Sequence, residues 1–97
     1  MKVYIAGKIT GNPMYKEEFD FARKKLTERG HVVLNPASLP VGMSRADYMR
    51  ICFAMIDTCD FALFLPNYKD SNGAKVERAY CEYVGIPIED FSLYLRK

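Results

Sequence analysis

Asp60 is followed by five residues without a polar side chain, Phe61-Ala62-Leu63-Phe64-Leu65, and then by Pro66-Asn67-Tyr68-Lys69-Asp70-Ser71-Asn72-Gly73. A run this short and this apolar suits a central strand covered on both faces. The polar stretch after it reads as a turn, and Ala74-Lys75-Val76-Glu77 opens a helical pattern. A buried strand needs neighbours at its sides and layers above and below it. Strand, polar turn and helix start also make a corner where free backbone N–H groups can meet phosphates or sugar hydroxyls in an open α/β sheet.

The rest of the chain alternates in the same way. Val3-Tyr4-Ile5-Ala6 is a first short strand, stopped by the loop Gly7-Lys8-Ile9-Thr10-Gly11-Asn12-Pro13. Tyr15, Phe19, Ala22 and Leu26 recur on one face of a helix. Acids crowd the first half of that helix and bases its second half, and Gly30 is placed to end it. His31 to Leu34 is a second strand, broken by Asn35-Pro36. Ser44 is the N-cap expected for a helix over 45–58, with Asp47 as its capping-box partner. Tyr48, Cys52, Met55 and Cys59 form one apolar stripe on that helix, and Met49, Phe53 and Ile56 form a second. Such a helix is covered on two sides or takes part in a subunit contact, which predicts a homodimer or higher homo-oligomer.

Asp60 fixes the turn into the third strand, Phe61 to Leu65. Asn72 or Gly73 is expected to cap the third helix and Gly85 to end it. Ile86-Pro87-Ile88 reads as a short fourth strand, with Pro87 pointing to an edge position. For 89–97 a last helical turn and an extended tail are both open. The order β-α-β-α-β-α-β predicts one domain over 1–97. It is an α/β fold, flavodoxin-like or Rossmann-like, with a small open parallel sheet of about four strands in the order 2-1-3-4 and helices on both faces. That order sets the loop after the first strand beside the loop after the third, where the strand order reverses.

Composition narrows the function classes. A formal net charge of +2 on 97 residues, with the bases dispersed, argues against a nucleic-acid partner. No apolar run approaches membrane-spanning length. Met1-Lys2 leads directly into a strand pattern, so no leader is expected. The three cysteines, Cys52, Cys59 and Cys81, are odd in number and sit among apolar neighbours, as expected of reduced thiols in a cytoplasmic protein. No cluster has metal-ligand spacing, and no motif requires a cofactor.

The candidate chemistry lies in the crevice. Glu77 shares a helix face with Gly73, Ala74, Tyr80, Cys81 and Val84, so it points inward. Such a carboxylate is a general base, a hydroxyl acceptor or a nucleophile, or else it only stabilises the helix end or pairs with Arg50. Asp70, Ser71, Asn72 and Gly73, preceded by Pro66, offer hydroxyl, amide and backbone contacts, and equally serve as ordinary turn and capping residues. Gly7, Lys8, Ile9, Thr10 and Gly11 face them across the crevice. Lys8 either meets an anion or points to water. Tyr4 and Tyr68 either flank a planar base or pack.

The Met1-Lys2-Val3-Tyr4-Ile5-Ala6-Gly7 opening resembles the nucleoside 2-deoxyribosyltransferase superfamily. So do Asn35-Pro36, Cys59-Asp60, the corner Asp70-Ser71-Asn72-Gly73-Ala74-Lys75-Val76-Glu77 and Gly85-Ile86-Pro87-Ile88, and the nearest likeness is to short phage and bacterial members. The resemblance implies a nucleoside or nucleotide as the small-molecule partner and cleavage of its N-glycosidic bond. It also implies Glu77 as the attacking nucleophile, Tyr4 as the residue that orients it, and Asp70 and Asn35 as part of the site. The superfamily's leaving-group aspartate aligns near Cys52, and Lys8 stands where a proline is common. The alternative is therefore a non-catalytic nucleotide-binding or sequestering protein.

Overall fold

The computed structural model describes residues 1–97. Strands β1 (Lys2–Ala6), β2 (Val32–Leu34), β3 (Phe61–Phe64) and β4 (Ile88–Asp90) form one parallel sheet of order β2-β1-β3-β4. Helices α1 (Tyr15–Glu28), α2 (Arg45–Thr58) and α3 (Asn72–Val84) connect successive strands, and a short helix α4 (Phe91–Tyr94) follows β4. This is the expected Rossmann-like arrangement, with β1 and β3 at the centre.

The period-2 alternation of β1 divides the core between the two faces of the sheet. Val3 and Ile5 point to one side, where they pack with Phe61, Leu63 and Leu65 against Phe19, Ala22 and Leu26 of α1 and Phe91 of α4. Tyr4 and Ala6 point to the other, with Ala62 and Phe64, against Cys52 and Ile56 of α2 and Cys81 of α3. Phe19, Leu26, Ile56 and Leu63 are wholly buried, each burial stabilising the fold by about 1.5–3 kcal/mol. Phe53, on the second apolar stripe of α2, stacks on Tyr80 of α3 with ring centroids 4.3 Å apart. Part of that stripe is therefore covered within the chain.

The helix ends follow local chemistry. Gly30, at φ +87°, donates its N–H to Thr27 O, and His31 N–H reaches Leu26 O, which together close α1. Ser44 Oγ caps α2 by accepting the Asp47 N–H at 3.1 Å. The Asp47 side chain does not complete a capping box; it accepts from Arg50 at 3.2 Å. α3 begins one residue earlier than a cap at Asn72 predicts and two earlier than a cap at Gly73. Its cap is Ser71, whose hydroxyl oxygen accepts the Ala74 N–H at 3.1 Å, so Asn72 and Gly73 are already helical.

The C-terminal part also differs from expectation. β4 is Ile88–Asp90 and not 86–88. Pro87 has no N–H to give, but its carbonyl accepts from Ala62 N, and the ladder continues through Glu89 and Asp90. Charged residues are tolerated there because β4 lies at an edge of the sheet. The segment after it forms a helical turn, because Phe91 buries against the α1 face. Arg29 then holds the turn by donating to the carbonyls of Tyr94 and Leu95 at 3.0 and 3.2 Å.

β1 ends at Ala6, and the backbone of Gly7 passes close to Leu65. A Cβ on Gly7 would lie 2.9 Å from Leu65 Cδ1 and 3.1 Å from Leu65 Cβ. Leu65 is buried and cannot swing into solvent. Gly7→Val is expected to lower the unfolding free energy by about 1–3 kcal/mol, read as a lower denaturant midpoint at unchanged m-value.

Candidate functional site

The loops that leave the C-terminal ends of β1, β2 and β3 surround a cavity of about 680 Å³. That size suits a small molecule. Gly7, Ile9 and Thr10 form one wall, the segment from Pro36 to Val41 and the first turns of α2 a second, and Asp70 to Glu77 the third. Its floor holds Tyr4, Cys52 and Glu77, all of them buried.

Glu77 is the one buried charged residue of the chain, with 7% of its surface exposed. The inward position predicted from its neighbours is the position observed. It sits on α3 shortly after the helix start, and Tyr4, on β1, donates its hydroxyl to Glu77 Oε2 at 2.8 Å. Arg50 pairs with Asp47, so no cation neutralises Glu77. Burial pushes the Glu77 carboxyl up to about 7, with the hydrogen bond from Tyr4 and then the Cys52 thiol acting in the opposite direction. Burial also raises the Tyr4 phenol well above its ordinary value, and the nearby Glu77 adds to the rise. The Cys52 thiol is pushed up to about 11, again mainly by burial. Near neutral pH the floor thus holds two protonated groups, Tyr4 and Cys52, and one carboxyl that exchanges its proton. A carboxyl in that state can serve as base, acid or nucleophile.

Nine of the fourteen residues singled out from the sequence line this cavity: Tyr4, Gly7, Ile9, Thr10, Asp70, Ser71, Asn72, Gly73 and Glu77. Lys8, Gly11, Asn35, Pro66 and Tyr68 do not. The Lys8 N–H donates to Asn67 Oδ1 at 3.2 Å, and its carbonyl accepts from Asn12 Nδ2 at 2.9 Å, so its backbone pins the loop. Gly11 turns that loop at φ +76°. Asn35 caps a 3₁₀ turn over Pro36–Ser38 by accepting the Ala37 N–H at 3.0 Å. Pro66 opens a second 3₁₀ turn, Pro66–Asp70. That turn carries Tyr68 away from the cavity. Its ring packs edge-on to Phe64 and lies 4.5 Å from the Arg78 guanidinium carbon, a packing role and not a base-flanking one.

The sequence reading missed Tyr15, Leu39, Val41, Arg45, Tyr48 and Met49, which also line the cavity. A signal was present. In a sheet of order 2-1-3-4 the loop after β2 must emerge beside the loop after β1, so residues 35–49 had to reach the same rim. No group of three or more His, Cys, Asp or Glu residues is placed to hold a metal ion, and no helix is long and apolar enough to cross a membrane.

The fold and the crevice define an open α/β domain with a small-molecule cavity at the reversal of strand order. The family model described as "Domain of unknown function (DUF4406)" matches residues 1–90, and the chain belongs to that family. Among solved structures the chain is similar to a 2-deoxyribosyltransferase from the psychrotolerant bacterium Bacillus psychrosaccharolyticus. The identity is 21%, with a TM-score of 0.74 over 93% of this chain and 71% of that one. At this identity the likeness establishes the fold. A comparison with curated proteins gives no match.

Glu77 links the site to stability. Its folded-state value of about 7 lies above the ordinary 4.5, so its contribution is fully present below about pH 4.5 and is lost as pH rises through 7. The loss amounts to about 3 kcal/mol on the scale of about 1.4 kcal/mol per pH unit. Glu77→Gln keeps an acceptor for Tyr4 and removes the titration. It is expected to raise stability at pH 8 by about 1–3 kcal/mol, measured by urea denaturation across pH 4 to 8. Tyr4→Phe removes the donor that favours the anion and is expected to move the Glu77 titration upward in a carboxyl-carbon NMR experiment.

Proposed function

We propose that the protein binds a nucleoside or nucleotide in this cavity and cleaves its N-glycosidic bond through Glu77. One observation carries the reading: a buried carboxyl without a cationic partner lies on a cavity floor, oriented by a tyrosine hydroxyl and titrating near neutrality. The anionic oxygen attacks the anomeric carbon, the carbon–nitrogen bond breaks, and its electron pair leaves with the base, which takes a proton. Water then attacks the same carbon, releases the sugar and returns Glu77 to its carboxylate. A second base in place of water gives transfer. Asp70, exposed at the cavity wall, is suited to accept a sugar hydroxyl, and the backbone at Asn72 and Gly73 borders the same space.

A second reading rests on Cys52. It stands on the floor where the resemblance expects an acid for the leaving base, and a thiol held near 11 is a poor proton donor. A protein that binds nucleotides without cleaving them fits that observation. The three free thiols suit a reducing, cytoplasmic setting. Val76, Tyr83 and Val84, exposed on α3, suit a homodimer, which sedimentation at two protein concentrations checks.

Incubation with a panel of nucleosides and nucleotides, followed by chromatography for free base, tests the enzyme reading. The expected result is base release that rises with pH through about 7 and falls at least about a hundredfold in Glu77→Gln, with affinity retained. Tight binding with no base release from any member of the panel establishes the second reading instead.

A further inference from the structure

Arg45 is the only basic side chain on the cavity wall. The other arginines of the helices are engaged. Arg23 pairs with Asp20, Arg50 with Asp47 and Arg78 with Asp90, while Arg29 donates to the carbonyls after β4. The Arg45 side chain makes no hydrogen bond, ion pair or ring contact within the chain, and Asp47, on the same helical turn, pairs with Arg50 instead. Arg45 is also the first residue of α2, directly after the cap Ser44. A cation there opposes the helix dipole, whose positive end lies at the N-terminus. Neither helix stability nor a local partner accounts for an arginine at this position.

The cavity does account for it. Arg45, Met49 and Cys52 lie on one face of α2, at i, i+4 and i+7, and all three line the cavity. Cys52 is on the floor beside Glu77, and Arg45 is exposed at the mouth, two turns or roughly 10 Å along the helix axis. The two acids of the cavity, Glu77 and Asp70, belong to other elements, α3 and the turn before it, and neither pairs with Arg45. The cavity therefore offers acceptors for hydroxyl groups on α3 and the turn before it, and on α2 a guanidinium fork without a partner.

We propose that Arg45 is the specificity-determining residue of the site. It binds an anionic phosphate carried by the ligand, so the site takes nucleoside monophosphates in preference to nucleosides. A guanidinium meets a phosphate with two parallel N–H···O bonds, and the phosphate supplies the counter-charge that α2 does not. The proposal rests on the nucleotide reading of the cavity and adds to it the end at which the charge is read.

The test is calorimetric binding of matched pairs, each deoxynucleoside with its 5′-monophosphate, to the wild type, Arg45→Ala and Arg45→Lys. Inorganic phosphate is measured alongside, and circular dichroism checks the fold of each variant. The expected result is that a monophosphate binds the wild type roughly tenfold or more tighter than its nucleoside. Arg45→Ala erases this difference without changing nucleoside affinity, and Arg45→Lys retains part of it. The advantage also shrinks as salt is raised. Equal affinity for nucleoside and monophosphate in the wild type overturns the proposal and leaves the nucleotide-site reading standing. An equal loss for both ligands in Arg45→Ala also overturns it, because Arg45 then touches the base or sugar. If inorganic phosphate alone loses affinity in Arg45→Ala while the pairs do not differ, the arginine is a general anion contact and the proposal fails. Absence of binding by every nucleoside and nucleotide removes both readings together.

Discussion

The hydrogen bond from Tyr4 to Glu77 joins the central strand to the third crossover helix in the middle of a small domain. A carboxyl with 7% of its surface exposed and no cation beside it is held by donors alone. Leaving it without them would impose the full desolvation penalty of a buried acceptor. Tyr4 can reach it only because β1 sends alternate side chains to opposite faces and because β3, α3 and the Ser71 cap set the start of the helix. The sheet order and the cap of α3 both bear on one 2.8 Å contact. No buried polar side-chain atom lacks a partner, so the acid is accommodated without leaving another group unsatisfied.

Most of the architecture was legible because it depends on periodicity. The apolar runs of β1 and β3 and the i, i+4, i+7 stripe of α1 each admit one burial pattern. The inward direction of Glu77 came from the same reasoning. Features set by single side chains were harder. Ser71 and Asn72 are both good caps, and only the position of the hydroxyl relative to Ala74 N–H decides between them. Asp47 had two partners in reach and took Arg50. β4 begins at Ile88 because a proline carbonyl serves where its missing N–H cannot. Tyr68 left the cavity because a 3₁₀ turn, which leaves no hydrophobic period in five residues, rotates it outward.

The site was half legible for a related reason. Polar loops after β1 and β3 announce themselves by glycine, asparagine and serine. The wall built from the β2–α2 segment is made of Leu39, Val41, Tyr48 and Met49, residue types that resemble core when seen in sequence. Arg45 looked like one more solvated base in a dispersed set. Only its place, cavity-facing and unpaired at the wrong end of a helix dipole, distinguishes it.

One small device has a wider effect. Glu18 Oε1, on α1, accepts from Asn12 Nδ2 at 2.8 Å and from Asn67 Nδ2 at 3.1 Å, while Asn67 Oδ1 takes the Lys8 N–H. The loops after β1 and β3 are thereby knotted to each other and to a helix on the far side of the sheet. Two of the three walls of the cavity are thus positioned together, while the wall between β2 and α2 lies outside this network. Loops tied together before a ligand arrives leave less ordering to be done when it binds.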